Sequence, residues 1–238
     1  MYLSDMHTHS IASGHGTSCT ISEMAKEASR KGLKLLGVTD HGPGTLAAGT
    51  PSYFRSLAFC PRKRFGVEVF YGVELNILDE EGHVDLDGEL LWHLDYAIAS
   101  MHSWNYKPGT VEANTRAFLN VMKNPHVKIL GHCDNPAYPV DYEALAASAG
   151  ENGVIFEINE ASLAPGGYRG DTRENASAIL RCCARYQIPI LLSSDSHGKD
   201  HIGDFTYGAE FVHQAMFPES LILNNQIPRL KVFLTTHT

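Results

Sequence analysis

Charge is in short supply in this chain: Asp, Glu, Lys and Arg make up only 19% of its 238 residues. Basic residues are the scarcer sign, 19 against 27 acidic ones, for a formal net charge of −8. Broad binding to a nucleic-acid polymer or an anionic membrane needs a basic face, so neither partner is expected. No apolar run approaches the ~20 residues of a helical membrane span. The first residues carry neither a basic cluster nor an apolar stretch of the kind that opens a secretory leader. C-x-x-C spacing is missing, and the five cysteines, Cys19, Cys60, Cys133, Cys182 and Cys183, are odd in number. Reduced thiols and a cytoplasmic location are the expectation. Repeats of fixed period, low-complexity tracts and linkers are absent too. That points to a single domain over residues 1–238, a size that α/β barrels routinely fill.

Hydrophobic residues, at 43%, are enough for a core that needs no disulfide staples. Histidine is in excess, with 13 residues in the chain. Short β-type apolar runs at 2–6, 35–39, 67–75, 96–100, 128–131, 154–159 and 190–194 alternate with helical stretches. Thr20-Ile21-Ser22-Glu23 is a capping box, opening a helix that ends at Gly32. Further helices are expected at 110–122, 141–149 and 171–186, with a hairpin over 77–86 and a helical cap after Phe205. Seven β-then-α units predict one mostly parallel sheet, open or closed.

The strand ends decide between those two. His7 and His9 follow the first run, with His15 soon after, and Asp40-His41 follows the second. Glu74 lies near the end of the third, His102 follows the fourth and His132 the fifth. The seventh ends in Asp195-Ser196-His197, whereas the sixth, ending Glu157-Ile158-Asn159, offers no evident ligand. An open sheet gathers its site at one switch point. A barrel builds its site from many βα loops at the C-terminal ends of its strands, so a closed or nearly closed barrel is favoured.

Residues i and i+2 on a strand share a face. His7 and His9 can therefore lean toward one metal, and Asp195 and His197 repeat that spacing, expected on the opposite side of the mouth. Seven histidines, one Glu and one Asp exceed the three protein ligands of a single catalytic zinc, so two or three metals are expected. His83, His93, His126, His201, His213 and His237 are assigned ordinary surface or packing roles, with His201 the nearest to the Asp195 loop. Trp92 and Trp104 are read as core and loop packing. Asp5 and Asp40, which precede ligand-type histidines, are read either as orienting groups or as strand-end caps.

Asp5-Met6-His7-Thr8-His9-Ser10, Thr39-Asp40-His41-Gly42-Pro43, Gly72-Val73-Glu74 and Ser194-Asp195-Ser196-His197 together resemble the PHP family, the polymerase and histidinol phosphatase domains. The similarity runs from Asp5 to about Phe205. It implies an α/β fold, a distorted (β/α)7 barrel with three divalent metals at the C-terminal ends of its strands. Carried over residue by residue, the first metal takes His7, His9, Glu74 and Asp195. The second shares Glu74 and adds His102 and His132, and the third is held by His15, His41 and His197. Cys133, directly after His132, replaces a proline usual in relatives.

The function so implied is a metal-dependent phosphoesterase that hydrolyses phosphomonoesters with a metal-activated water. Glu74, Asp195 and His197 are the catalytic candidates, and Arg169, in a glycine-rich loop, is the candidate phosphate contact. Imidazole-rich sites favour Zn2+, with Fe2+ or Mn2+ as alternatives. A small phosphorylated metabolite or nucleotide is the expected substrate, and a homo-oligomer the expected assembly. Two competing readings are an amidohydrolase-type metal hydrolase and a catalytically silent metal-bound interaction module. The first is disfavoured by His15, Glu74 and the Asp195-Ser196-His197 ending, the second because no ligand position is lost.

Overall fold

The computed structural model describes residues 2–86 and 88–236, so His237 lies outside the described residues. Its strands are β1 (Ser4–Asp5), β2 (Thr8–His9), β3 (Leu35–Val38), β4 (Lys63–Arg64), β5 (Val67–Asn76), β6 (Tyr96–Ser100), β7 (Val127–Leu130), β8 (Ile155–Asn159), β9 (Ile190–Ser193) and β10 (Ser196–His197). Its helices are α1 (Ile21–Arg30), α2 (Pro51–Leu57), α3 (Gly88–Leu91), α4 (Val111–Val121), α5 (Tyr142–Asn152), α6 (Glu160–Leu163), α7 (Arg173–Tyr186), α8 (Thr206–Gln214) and α9 (Ile227–Thr235).

Seven strands lie side by side in the order β1-β3-β5-β6-β7-β8-β9, all paired in parallel. β5 is the pivot. Its first half pairs with β3, from Leu35↔Glu68 to Val38↔Tyr71, and its second half with β6, from Gly72↔Tyr96 to Asn76↔Ser100. That stagger is the shear a closing sheet requires. The Tyr96 hydroxyl donates to Met6 O at 2.6 Å, and any side chain at Gly37 would collide with it. Aliphatic strand residues such as Leu36, Val38, Val73, Ile98 and Ile129 are fully buried.

Among the described residues β1 and β9 share no ladder, and buried Asn224 spans the gap. Its Oδ1 accepts Leu192 N–H at 2.9 Å, while Nδ2 donates to Leu192 O at 2.8 Å and Ser4 O at 3.0 Å. Ser4 Oγ donates back to Asn224 O at 3.0 Å. Asp5 continues the seam by accepting Ser194 N–H at 3.1 Å and Ser194 Oγ–H at 2.5 Å. At the mouth β2 and β10 pair in parallel, Thr8↔Ser196 and His9↔His197. The result is a nearly closed, distorted (β/α)7 barrel.

Local signals explain most elements. The Thr20–Glu23 capping box forms at the start of α1, and a left-handed Gly153 ends α5. The hairpin over 77–86 forms with the bridge Ile77↔Val84. The expected first run, 2–6, divides into β1 and β2. Sequence reading missed α2, which opens with a proline in its first turn. It also missed β4, joined to β5 through Phe65 and Gly66 at φ 51° and 84°, the positive-φ pair of a tight hairpin turn. No helix among the described residues is long and apolar enough to cross a membrane. All five cysteines are free thiols.

Candidate metal centre

Every ligand-type residue expected from the strand ends stands at one end of the barrel, where His15, His41, His102, His132, Asp195 and His197 line a cavity of about 570 Å3 and His7, His9 and Glu74 are buried against them. Glu74 is the hub. Its Oε1 lies 2.9 Å from His132 Nε2 and 3.4 Å from His102 Nε2, and its Oε2 lies 2.7 Å from His41 Nδ1, 3.4 Å from His7 Nε2 and 3.6 Å from His9 Nε2. Asp195 Oδ1 faces His9 Nε2 at 3.1 Å and His7 Nε2 at 3.6 Å. Donor atoms cluster in three triads, His7–His9–Asp195, His41–Glu74–His102 and His9–His41–His197.

The last triad corrects one expectation. Asp195 and His197 do not face the first strand across the mouth. Barrel closure brings β10 beside β2, and the rings of His9 and His197 stack with centroids 4.2 Å apart. His41 stands between Glu74 and His197, so it joins two triads. His15 packs its exposed ring 4.8 Å from that of His41 and 5.7 Å from that of His197. His15, His132 and Asp195 have φ of 55°, 28° and 54°, unusual for non-glycine residues. Such strain clusters where the surrounding structure over-determines a side chain's aim.

Behind these residues lies a set of orienting contacts. Glu157 was read as no ligand, yet its Oε1 lies 2.6 Å from His7 Nδ1 and its Oε2 accepts the His132 N–H at 2.6 Å. Asn159 donates to Glu157 Oε2 at 3.0 Å and Asp195 Oδ2 at 3.2 Å. The signal was present: Glu157 and Asn159 are an i, i+2 pair at a strand end, the logic applied to His7 and His9. Asn76 Oδ1 faces His102 Nδ1 at 2.7 Å, which leaves Nε2 free to act as a ligand. Ser13 Oγ lies 2.8 Å from His9 Nδ1 and donates to Asp40 at 2.8 Å. Asp40 therefore orients His9 through Ser13, whereas Asp5 belongs to the seam.

Arg169 is buried. It donates to Asp195 Oδ2 at 2.8 Å, to Ser162 Oγ at 3.2 Å and to Asn159 Oδ1 at 3.3 Å, and it also lines the cavity. Cys133 is buried beside His132, and burial raises its thiol well above the usual range, which disfavours a thiolate. Trp104, read as packing, instead stands 57% exposed at the mouth. Of the other histidines, His83 pairs with Asp79 at 2.7 Å, His126 is buried against the edge of Trp92, and His93 and His213 are exposed. Exposed His201 lines a neighbouring cavity beyond Tyr168.

The electrostatics favour a cation. Burial pushes the pKa of His9 well below its usual value, aided by His197 and His41. Burial also lowers His15, His102 and His132. The neutral form, the one that binds a metal, is favoured in these rings, whereas at His41 burial is outweighed by Glu74 and Asp195, which raise its pKa. Burial opposes ionisation of Glu74, but His41, His7 and His102 hold it well below the carboxylate range. Asp195 overcomes the same penalty through His7, His9 and Arg169. Burial would lower His7, yet Glu157, Asp195 and Glu74 raise it well above the usual value. Buried Glu74, Glu157 and Asp195 outnumber the one fixed cation among them, Arg169, so without an ion protonated imidazoles would have to balance them, because uncompensated buried charge is costly. Three buried atoms, His7 Nε2, His41 Nδ1 and Glu74 Oε2, make no hydrogen bond. Imidazole nitrogens and carboxylate oxygens gathered this closely are the donor types a divalent transition metal takes, and such an ion would replace the charge that Glu74 and Glu157 now draw onto His7 and His41.

Comparison with known proteins fits this geometry. The family model described as PHP domain matches residues 5–170. A probable phosphatase of Clostridium novyi (strain NT) is 40% identical over 233 residues, covering 98% of this chain and 94% of the relative. A probable phosphatase of Thermoanaerobacter sp. (strain X514) is 41% identical over 231 residues, covering 97% and 93%. The fold matches the crystal structure of histidinol phosphate phosphatase from Lactococcus lactis subsp. lactis Il1403, complexed with zinc, L-histidinol and phosphate. That match has a TM-score of 0.62 at 19% identity, covering 91% of this chain and 95% of that one. This chain belongs to the PHP domain family.

Proposed function

We propose that residues 1–238 act as one metal-dependent phosphatase domain that hydrolyses phosphomonoesters of a small metabolite or nucleotide in the cytoplasm. The observation that carries the reading is convergence. Seven imidazoles, Glu74 and Asp195 meet at one end of the barrel: His15, His41, His102, His132, Asp195 and His197 line the cavity, and buried His7 and His9 lie within 3.6 Å of oxygens of both Asp195 and buried Glu74. His7, His9, Glu74 and Asp195 would hold one ion, Glu74, His102 and His132 a second, and His15, His41 and His197 a third. Zn2+ suits this set best, ahead of Fe2+ and Mn2+. Bound divalent ions supply Lewis-acid polarisation of phosphate oxygens and acidify water.

The chain's own groups do the rest. Glu74 and Asp195, held ionised, accept hydrogen bonds from the attacking water and aim it at phosphorus. His197, partly exposed at the mouth, faces the leaving oxygen. Arg169 adds a fixed positive charge beside the phosphate while its Nη2 steadies Asp195 and its Nη1 donates to Asn159 and Ser162. The water oxygen forms the new P–O bond, the bond to the leaving alcohol breaks, and no phospho-enzyme intervenes. Both relatives carry the name probable phosphatase, which supports phosphate-ester hydrolysis over the amidohydrolase reading.

The test is a phosphomonoester library assayed with metal-analysed protein, His9→Ala serving as control. Phosphate release that is lost in His9→Ala is expected. Fewer than two bound ions together with no turnover overturns the reading.

A further inference from the structure

Part of the cavity's lining, beside the polar cluster, is apolar and aromatic. Trp104, Met101, Pro108, Ala137, Tyr138 and Tyr168 form it. Trp104 is 57% exposed, although a solvated indole forgoes considerable burial energy. Its position is fixed rather than loose. It stacks on His102 with the two ring planes 7° apart and centroids at 5.3 Å, and it lies 5.5 Å from His15. With the Asn105 amide oriented to satisfy its neighbours, its oxygen accepts the Trp104 Nε1–H at 3.1 Å. An indole clamped edge-on by Asn105 and backed by His102 presents a rigid apolar face directly beside the proposed second ion. Charge on this side is scarce. Among the described residues Arg169 is the only Lys or Arg lining the cavity, and it is committed to Asp195 and to the reacting phosphate. A second phosphate or other anion on the leaving group would find no further Lys or Arg among the described lining residues.

We propose that Trp104 is the specificity-determining residue, and that the alcohol released by the enzyme carries a flat, uncharged aromatic ring that stacks on its exposed face. This deepens the phosphatase reading and rests on it. In the reaction the P–O bond to that aromatic alcohol breaks, and water supplies the oxygen that replaces it. One water proton ends on the released alcohol and the other remains with phosphate or passes to solvent.

The experiment compares 2-naphthylmethyl phosphate with its saturated counterpart, decahydro-2-naphthylmethyl phosphate, in the wild type, Trp104→Leu and Trp104→Phe. The two esters share a carbon skeleton and a primary alcohol leaving group, so flatness is the main variable. Aromatic stacking predicts a kcat/KM ratio in favour of the flat ester of about tenfold in the wild type. That ratio should fall below about threefold in Trp104→Leu and largely return in Trp104→Phe. A wild-type ratio near one, or a ratio that Trp104→Leu leaves intact, overturns the proposal while sparing the phosphatase reading. The corresponding phosphonates cannot be cleaved and are measured by calorimetry. If neither these esters nor any member of the phosphomonoester library releases phosphate, the phosphatase reading fails. The phosphonates still decide stacking: tighter binding of the flat one, lost in Trp104→Leu, supports it, and equal binding overturns it.

Discussion

Glu157 Oε1 lies 2.6 Å from His7 Nδ1, between two side chains that are 150 residues apart in the chain and both fully buried. The other oxygen of Glu157 takes the His132 backbone N–H at 2.6 Å. One carboxylate thus aims a ring from the first strand end and anchors the backbone of another ligand-type residue, which sits at φ 28°. Glu157→Gln keeps an acceptor for His132 but removes the charge facing His7. Partners behind a metal ligand typically contribute 10–100-fold to affinity, so Glu157→Gln should weaken retention of the first ion by about that factor. Metal content after dialysis against graded chelator measures it, and wild-type retention contradicts it.

Arg169 has two tasks in this account, facing phosphate and holding Asp195 at 2.8 Å. Arg169→Ala should lower kcat/KM on phosphomonoesters by about tenfold or more, since charge-assisted bonds are the strong ones. Arg169→Lys should recover only part of the loss, because a point charge cannot serve several acceptors in fork geometry. An unchanged kcat/KM in Arg169→Ala removes Arg169 from the site.

Asn224 carries the seam. Its side chain makes three buried hydrogen bonds to Leu192 and Ser4. Asn224→Ala would strand buried backbone groups at about 1–3 kcal/mol each, so a total loss of about 2–4 kcal/mol is expected after relaxation. For a chain of this size that is roughly a 5–15 °C fall in Tm. Turnover per folded molecule should stay near wild type, because Asn224 lies outside the ligand cluster. A Tm within a degree of wild type contradicts the seam's role.

Removal of metal should also lower Tm. Buried carboxylates outnumber buried fixed cations at the centre, and an ion that binds only the folded chain adds about 2.7 kcal/mol at a hundredfold excess over its Kd. Thermal melts with and without chelator, followed by zinc repletion, test this. Identical melts argue against a resident ion.

The ligand-type residues were legible in the sequence because the end of a strand is a local property. An apolar run stops, and within one or two residues comes His7, His41, His102 or His132. The barrel class followed from how many strand ends carried one. What was not legible depends on distant pairs. Closure places His197 beside His9 rather than across from it, and no local pattern encodes that. Glu157 looked inert because its partner, His7, comes from another strand. Asn224 sits in a stretch with no strand signal, and its importance comes from the unpaired edges it meets. Trp104 was read as packing because exposure at a cavity mouth is a property of the assembled loops.

In the proposed function, nine residues hold three ions on which phosphate-ester hydrolysis depends. Its most direct test is a titration of metal-free protein with Zn2+, reading bound metal per chain and phosphate release on the same samples. The account predicts that activity rises with loading and levels off at three bound ions, and that His9→Ala plateaus lower in both. Full activity with fewer than two ions, or three bound ions with no phosphate released from any phosphomonoester, would contradict it.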